Sequence, residues 1–224
     1  LCRASRKALE EVISMISGQC LCGAVSFEIA GPLSPPTLCH CGMCRRINGA
    51  PGAFTSAPAS SYRLRGEESL NWYRSSGDAE RGFCRKCGSK LFWREVGGEA
   101  LDVGMGSLNG PTGLRLDKHI WARHQGDYYE IGDDGVPRYA ESSSDAPPIP
   151  AEPAPDHGAA LNEHEGGCQC GAVKYRVRGR VRDSVVCHCS QCRRSHGHAP
   201  GYSKARTAEM TIEGEDAIVW YGSS

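Results

Sequence analysis

The sequence predicts a small all-β domain held together by metal and present twice in the chain. Three observations carry that prediction. Short segments alternate apolar and polar residues, and Gly or Pro interrupts them every 8–12 residues. Residues 20–76 align without a gap with residues 168–224, at a constant offset of 168 − 20 = 148, and 20 of those 57 positions are identical. Thirteen cysteines fall mostly in tight groups.

Residues 1–17 read as a leader. Leu9, Val12, Ile13 and Ile16 form a helical stripe there, and no apolar run follows Arg3, Arg6 and Lys7 as a secretory signal would require. A complete domain is expected over 18–141. Its strand candidates are 23–29, 70–73, 90–93, 100–103 and 127–131, and no segment has the length and period of a helix. Residues 142–165 hold five prolines and no apolar period, so they read as an extended linker. A second copy begins near 166, with 172–177 repeating the first strand in the same phase. The counterpart of Cys84 would be 84 + 148 = 232, beyond residue 224, so 166–224 reads as a truncated copy that folds poorly by itself.

Lys plus Arg number 26 and Asp plus Glu number 26, a balance that argues against a nucleic-acid or membrane-surface partner. Aromatic residues at 7% leave few stacking platforms for single strands. No apolar run approaches the roughly 18 residues that span a membrane. An odd cysteine count without a signal peptide fits reduced thiols holding metal, hence a cytoplasmic protein.

The complete copy groups its cysteines as Cys20/Cys22, Cys39/Cys41/Cys44 and Cys84/Cys87. Thiolates in C-x-C and C-x-x-C spacing select zinc over magnesium or calcium. In an extended stretch Cys39 and Cys41 point the same way, with His40 facing away, and a tight turn over 41–44 brings in the third sulfur. Seven cysteines divide as four plus three: a closed structural site, and a site with an open position. Spacing alone leaves open which pair joins Cys84/Cys87, whether one site is all there is, and whether His40, His119 or His124 closes the second. The repeat carries Cys168/Cys170 and Cys187/Cys189/Cys192.

The motifs Gly18-Gln19-Cys20-Leu21-Cys22-Gly23-Ala24-Val25, Cys39-His40-Cys41-Gly42-Met43-Cys44-Arg45 and Phe83-Cys84-Arg85-Lys86-Cys87-Gly88-Ser89 resemble the glutathione-dependent formaldehyde-activating enzyme family, which shares its domain with centromere protein V. His119-Ile120-Trp121, Tyr128-Tyr129-Glu130-Ile131 and Pro137-Arg138-Tyr139 resemble further landmarks. The resemblance implies a β-tent fold with two zinc ions per complete domain. It implies that Cys20, Cys22, Cys84 and Cys87 hold the structural ion and Cys39, Cys41 and Cys44 the catalytic one. The implied reaction, of carbon–sulfur lyase type, joins glutathione to formaldehyde as S-hydroxymethylglutathione. The partners expected are thus a small-molecule thiol and an aldehyde. A non-catalytic zinc-stabilised binding module is the alternative, separated by whether the fourth position stays open. A sulfoxide-reducing activity ranks last, because no cysteine stands outside the groups except Cys2.

Among the remaining candidates, Arg45-Arg46 and Arg193-Arg194 suit either a substrate carboxylate or charge balance. His40 and His188 suit a supporting role beside a sulfur. Trp72-Tyr73 and Trp220-Tyr221 are expected in the core. Residues 104–107 lack the Lys of a phosphate loop.

Overall fold

The computed structural model describes residues 15–142, 146–155 and 162–223. The helical stripe expected in the leader, and Cys2, lie outside the described residues apart from Ile16. The chain is predominantly β, with two short helices among the described residues.

The first region runs β1 (Met15–Gln19), β2 (Ser26–Ala30), β3 (Thr37–Cys39), α1 (Gly42–Asn48), β4 (Gly52–Pro58), β5 (Tyr62–Arg65), β6 (Leu70–Arg74), β7 (Ala79–Cys84), β8 (Lys90–Glu95), β9 (Ala100–Gly104) and β10 (Lys118–Ile120). β1, β2 and β5 form a three-stranded sheet, and the others form a seven-stranded sheet in the order β10-β3-β4-β9-β8-β7-β6. All pairings are antiparallel except β10 with β3.

The core lies between these two sheets. Alternation along β2 turns Phe27 and Ile29 inward, where they meet Leu91 and Phe92 of β8 and Leu101 and Val103 of β9 in one buried cluster. Phe27 packs edge-on against Phe92 with ring centroids 5.1 Å apart. Residues of opposite phase, including Trp93 and Asp102, face the other side of the large sheet, where they line a cavity.

The second region runs β11 (Glu163–Gly167), β12 (Lys174–Arg178), β13 (Val185–Val186), α2 (Ser190–His196), β14 (Gly201–Tyr202) and β15 (Met210–Glu213). β11, β12 and β15 form a sheet ordered like β1-β2-β5, and β13 pairs with β14 as β3 pairs with β4. Each of β11, β12, α2 and β15 begins 148 residues after its counterpart, as in 163 − 15 and 190 − 42. The recurring Gly-Glu has a local cause. Gly66 and Gly214 both adopt φ +76°, and a Cβ there would stand 1.8 and 2.0 Å from the carbonyl oxygens of Ala24 and Ala172.

Three expectations need correction. Residues 127–131 form no strand: Tyr128 and Tyr129 pack on each other and Tyr129 turns to His40. The turn after Cys41 continues into helix α1, whose seven residues are too few to show a sequence period. Trp72 stacks on Phe92, but its counterpart Trp220 is 84% exposed because nothing equivalent to β8 among the described residues covers it. The strand β1 starts at Met15 and β11 at Glu163.

The two regions touch. Helix α2 packs on the 3-10 turn Met105–Ser107 and on β8. The Gly106 amide donates to the Gly197 carbonyl at 2.8 Å, and the Gly201 amide to the Gly49 carbonyl at 3.0 Å.

Candidate metal centres and the cavity

Cys20 and Cys22 sit in the turn between β1 and β2. The Val25 amide donates to the Cys20 sulfur at 3.3 Å, and Gly23 takes a positive φ to close the turn. Cys84 ends β7 and Cys87 follows in a second turn, where the Gly88 amide donates to the Cys84 carbonyl. Ser89 ties the two turns together: its hydroxyl accepts from the Leu21 amide at 2.9 Å and lies 3.2 Å from the Cys87 sulfur. The four sulfurs lie within 4.8 Å of one another. Tetrahedral zinc with bonds of about 2.3 Å places its sulfurs about 3.8 Å apart. Cys20 to Cys22 is 3.6 Å and Cys22 to Cys84 is 3.8 Å, so the set fits zinc. Burial pushes the Cys20 thiol up to about 12. Burial also works against ionising Cys87, but the Ser89 hydroxyl and nearby amides bring it down to about 6.

Cys39 ends β3, Cys41 caps α1, and Cys44 lies in its first turn. The Cys44 amide donates to the Cys41 sulfur at 3.4 Å. These three sulfurs also lie within 4.8 Å of one another, and among the described residues no fourth His, Cys, Asp or Glu joins them. Hydrogen bonds from Cys39 and Cys44, with the Arg81 charge nearby, pull Cys41 down to about 2. The same sharing raises Cys39, which donates to its neighbours. A place that concentrates negative sulfur charge is chemically suited to a soft cation.

The histidines considered as closing ligands are engaged elsewhere. His40 Nδ1 lies 3.0 Å from the Tyr129 hydroxyl, and its Nε2 lies 3.0 Å from His119 Nδ1. His119 Nε2 lies 3.0 Å from an Asp134 oxygen. A carboxylate only accepts, so His119 Nε2–H donates to Asp134 and its Nδ1 accepts from His40 Nε2–H; Tyr129 then donates to His40 Nδ1. Burial, then the nearby His119, holds His40 neutral at about 3. Burial alone would push Asp134 up, yet the His119 hydrogen bond and the Val136 amide hold it below its ordinary value. His124 pairs with Glu141 at 3.4 Å. Arg45 Nε donates to the His40 carbonyl at 3.3 Å, and Arg193 repeats this contact with His188 at 3.1 Å, so both arginines brace the cysteine loop.

The Cys39/Cys41/Cys44 group opens on a cavity of about 750 Å³. Cross-strand register lays Arg81, Trp93 and Asp102 side by side on its floor. Trp121 closes one flank with φ 58°, the one non-glycine residue in the left-handed region among the described residues. Sequence reasoning missed Arg81 and the Tyr129–His40–His119–Asp134 row. Alternation alone does not say which face of β7 meets the cysteines, and the row draws on three separate segments, near 40, 119 and 129–134.

In the second region Cys187, Cys189 and Cys192 form an equivalent group, with Cys189 capping α2. Cys168 and Cys170 are 3.3 Å apart, and among the described residues no further ligand joins them. All twelve described cysteines are free. No helix among the described residues is long and apolar enough to cross a membrane.

A family model described as glutathione-dependent formaldehyde-activating enzyme matches residues 15–124 and 163–224. A Halomonas elongata protein named for that activity is 33% identical over 86 residues, covering 35% of this chain and 55% of that protein. An uncharacterized lyase of Schizosaccharomyces pombe is 32% identical over 83 residues, covering 37% of this chain and 59% of that one. The matches thus span little more than half the length of these curated relatives. A Rhodobacter sphaeroides protein of known crystal structure is 32% identical, with 43% of this chain and 90% of that chain covered and a TM-score of 0.36.

Proposed function

The chain belongs to the glutathione-dependent formaldehyde-activating enzyme family, and from that premise we propose a zinc-dependent carbon–sulfur lyase-type enzyme joining glutathione, or another small thiol, to formaldehyde. In this reading 18–141 is a complete β-tent domain with two zinc ions. Residues 142–165 link it to a second, partial copy over 166–224. Cys20, Cys22, Cys84 and Cys87 hold a structural ion, and Cys39, Cys41 and Cys44 hold the ion that serves the reaction. The thiolate-rich sites suit a reducing compartment such as the cytoplasm.

One observation carries the reading: a three-sulfur group with no fourth ligand among the described residues faces a cavity large enough for a peptide-sized ligand. Zinc at that group would hold an incoming thiol as thiolate, below its free pKa of about 8.5. The chain's own residues do the rest. Arg45 and the His40 row fix the cysteine loop, and the cavity walls hold the aldehyde against the sulfur, so orientation lowers the barrier. The sulfur forms the new C–S bond, the carbonyl π pair moves to oxygen, and a proton completes the hydroxymethyl group.

The test follows exchange between glutathione, formaldehyde and their adduct by NMR, with the zinc-loaded full chain. Acceleration abolished by Cys41→Ser is expected. Equal acceleration by that variant would remove the open-site role. No acceleration, with the ions bound, would return the reading to a zinc-stabilised binding module.

A further inference from the structure

The cavity floor carries a cation that forms no ion pair with a carboxylate among the described residues. Arg81 projects from β7 into the cavity, and its Nε is buried without a hydrogen-bond partner among the described residues. A buried, unpaired donor on a charged group is costly and calls for an acceptor from outside. The acids that share the cavity do not supply one. Asp78 is held by the Ser76 hydroxyl at 2.7 Å. Asp102 is two strands away on β9, and Glu95 lies at the far end of β8; neither forms an ion pair with Arg81. Lys118, on the opposite rim, is paired with Asp117 at 3.7 Å. The Arg81 charge is nonetheless close enough to the cysteine group to favour the ionised Cys41 and Cys44. A ligand whose sulfur reaches those cysteines therefore has a guanidinium with an unsatisfied Nε within its own length.

We infer that Arg81 is the anion anchor of this cavity and takes a carboxylate of the thiol whose sulfur meets Cys39, Cys41 and Cys44. The inference rests on the functional reading above and deepens it: the preferred thiol carries a carboxylate, and Arg81 is the residue that makes it preferred. A guanidinium holds a carboxylate through two parallel hydrogen bonds, which a simple ammonium cannot match. The volume of about 750 Å³ far exceeds what formaldehyde and a bare thiol would fill. The remaining space suits a peptide-like body lying over Trp93 toward Arg81.

The test uses the zinc-loaded full chain and three probes, with dissociation constants read by calorimetry. Glutathione has thiol and carboxylates, cysteamine has the thiol without a carboxylate, and S-methylglutathione has the carboxylates without a thiol. In Arg81→Met, glutathione and S-methylglutathione are expected to bind about ten- to a hundredfold more weakly, with cysteamine unchanged. Arg81→Lys should fall between, and it replaces Arg81→Met if that variant loses zinc. Equal loss for all three probes would overturn the inference, since Arg81 would then act on the metal site alone. No change for S-methylglutathione would overturn it as well, as would its failure to bind the unaltered chain. If S-methylglutathione binding depends on Arg81 but neither thiol gains from its sulfur, the anchor stands and the thiol chemistry fails.

Discussion

The first and second regions start from the same plan and arrive at different environments. In the first, Phe27 is 2% exposed and packs on Phe92; at its counterpart in the second, Tyr175 is 40% exposed. In the first, Cys20 and Cys22 meet Cys84 and Cys87; in the second, Cys168 and Cys170 face each other with no further ligand among the described residues. The local turns are alike in both, down to the amide of Val25 or Val173 that donates to the first cysteine sulfur. What differs is β7, β8 and β9. Those strands supply two of the four sulfurs, the aromatic cover for the small sheet, and the floor of the cavity. A C-x-C turn is thus a half-site, and the strands that oppose it decide whether it holds an ion.

The largest expected effect tests that statement directly. Cys84→Ser should remove one bound zinc per chain and abolish the cooperative melt of the first region. Structural zinc contributes on the order of 10 kcal/mol to folding in small domains. Cys168→Ser should leave the high-temperature transition in place. Metal analysis and calorimetry on the two variants decide it: similar losses from both would mean that Cys168 and Cys170 hold an ion with ligands outside the described residues.

Next in size is the core. Phe27→Ala removes a buried ring that contacts Phe92 and Tyr62, at a cost of about 3–5 kcal/mol. Tyr175→Ala removes a ring that is 40% exposed and should cost less, about 1 kcal/mol. Denaturant melts measure both, and equal costs would show that the exposed face of β12 is covered in solution.

These contrasts also explain what could be read from the sequence. The alternation at 23–29 and 172–177 marks β2 and β12, because half-buried strands leave a period of two, and the short apolar segments at 70–73, 90–93 and 100–103 mark β6, β8 and β9. The cysteine groups are legible because their ligands lie close together in the chain. Helix α1 is not, since seven residues built around a capping cysteine leave too little apolar pattern. Trp220 misleads for a related reason: the chain records that a tryptophan follows β5 and its counterpart alike, but not whether a strand will lie over it. The row from Tyr129 to Asp134 depends on bringing three distant segments together, which no local pattern records.

A third contrast concerns acid. His40 is buried in that row, whereas His188 at the equivalent position is exposed. His40 is held at about 3 in the folded state against an ordinary 6.5. The unfolded chain therefore binds a proton that the native one refuses between those values. The stabilisation is complete above pH 6.5 and declines as pH falls toward 3, by up to about 1.4 kcal/mol per unit. A cation at Cys39 and Cys41 would push in the same direction. His40→Gln should flatten the stability profile between pH 6.5 and 5, while His188→Gln should leave it unaltered; an unchanged slope in His40→Gln would place the acid sensitivity elsewhere.

The smallest effect concerns how the regions join. Arg194 Nη1 donates to the carbonyls of Gln19 at 3.1 Å and Ser107 at 3.3 Å, and its Nη2 donates to Asn109 Oδ1 at 3.0 Å. Its counterpart Arg46 makes no such bridge among the described residues, so matching arginines serve different ends in the two regions. Gly106 lies close enough to α2 that an added Cβ would stand 2.1 Å from the Arg193 carbonyl oxygen. Backbone cannot yield there as a flexible side chain would, so Gly106→Ala should part the regions, and Arg194→Ala should loosen them by about 1–3 kcal/mol. Hydrogen exchange reads this locally. Protection at the Gly106 and Gly201 amides, which donate across the contact, should fall in both variants. Protection in β8 and β9 should persist, because those strands draw their stability from Phe27, Leu101 and Val103 rather than from α2. A loss that spread into β9 would mean that the second region helps to hold the first one folded.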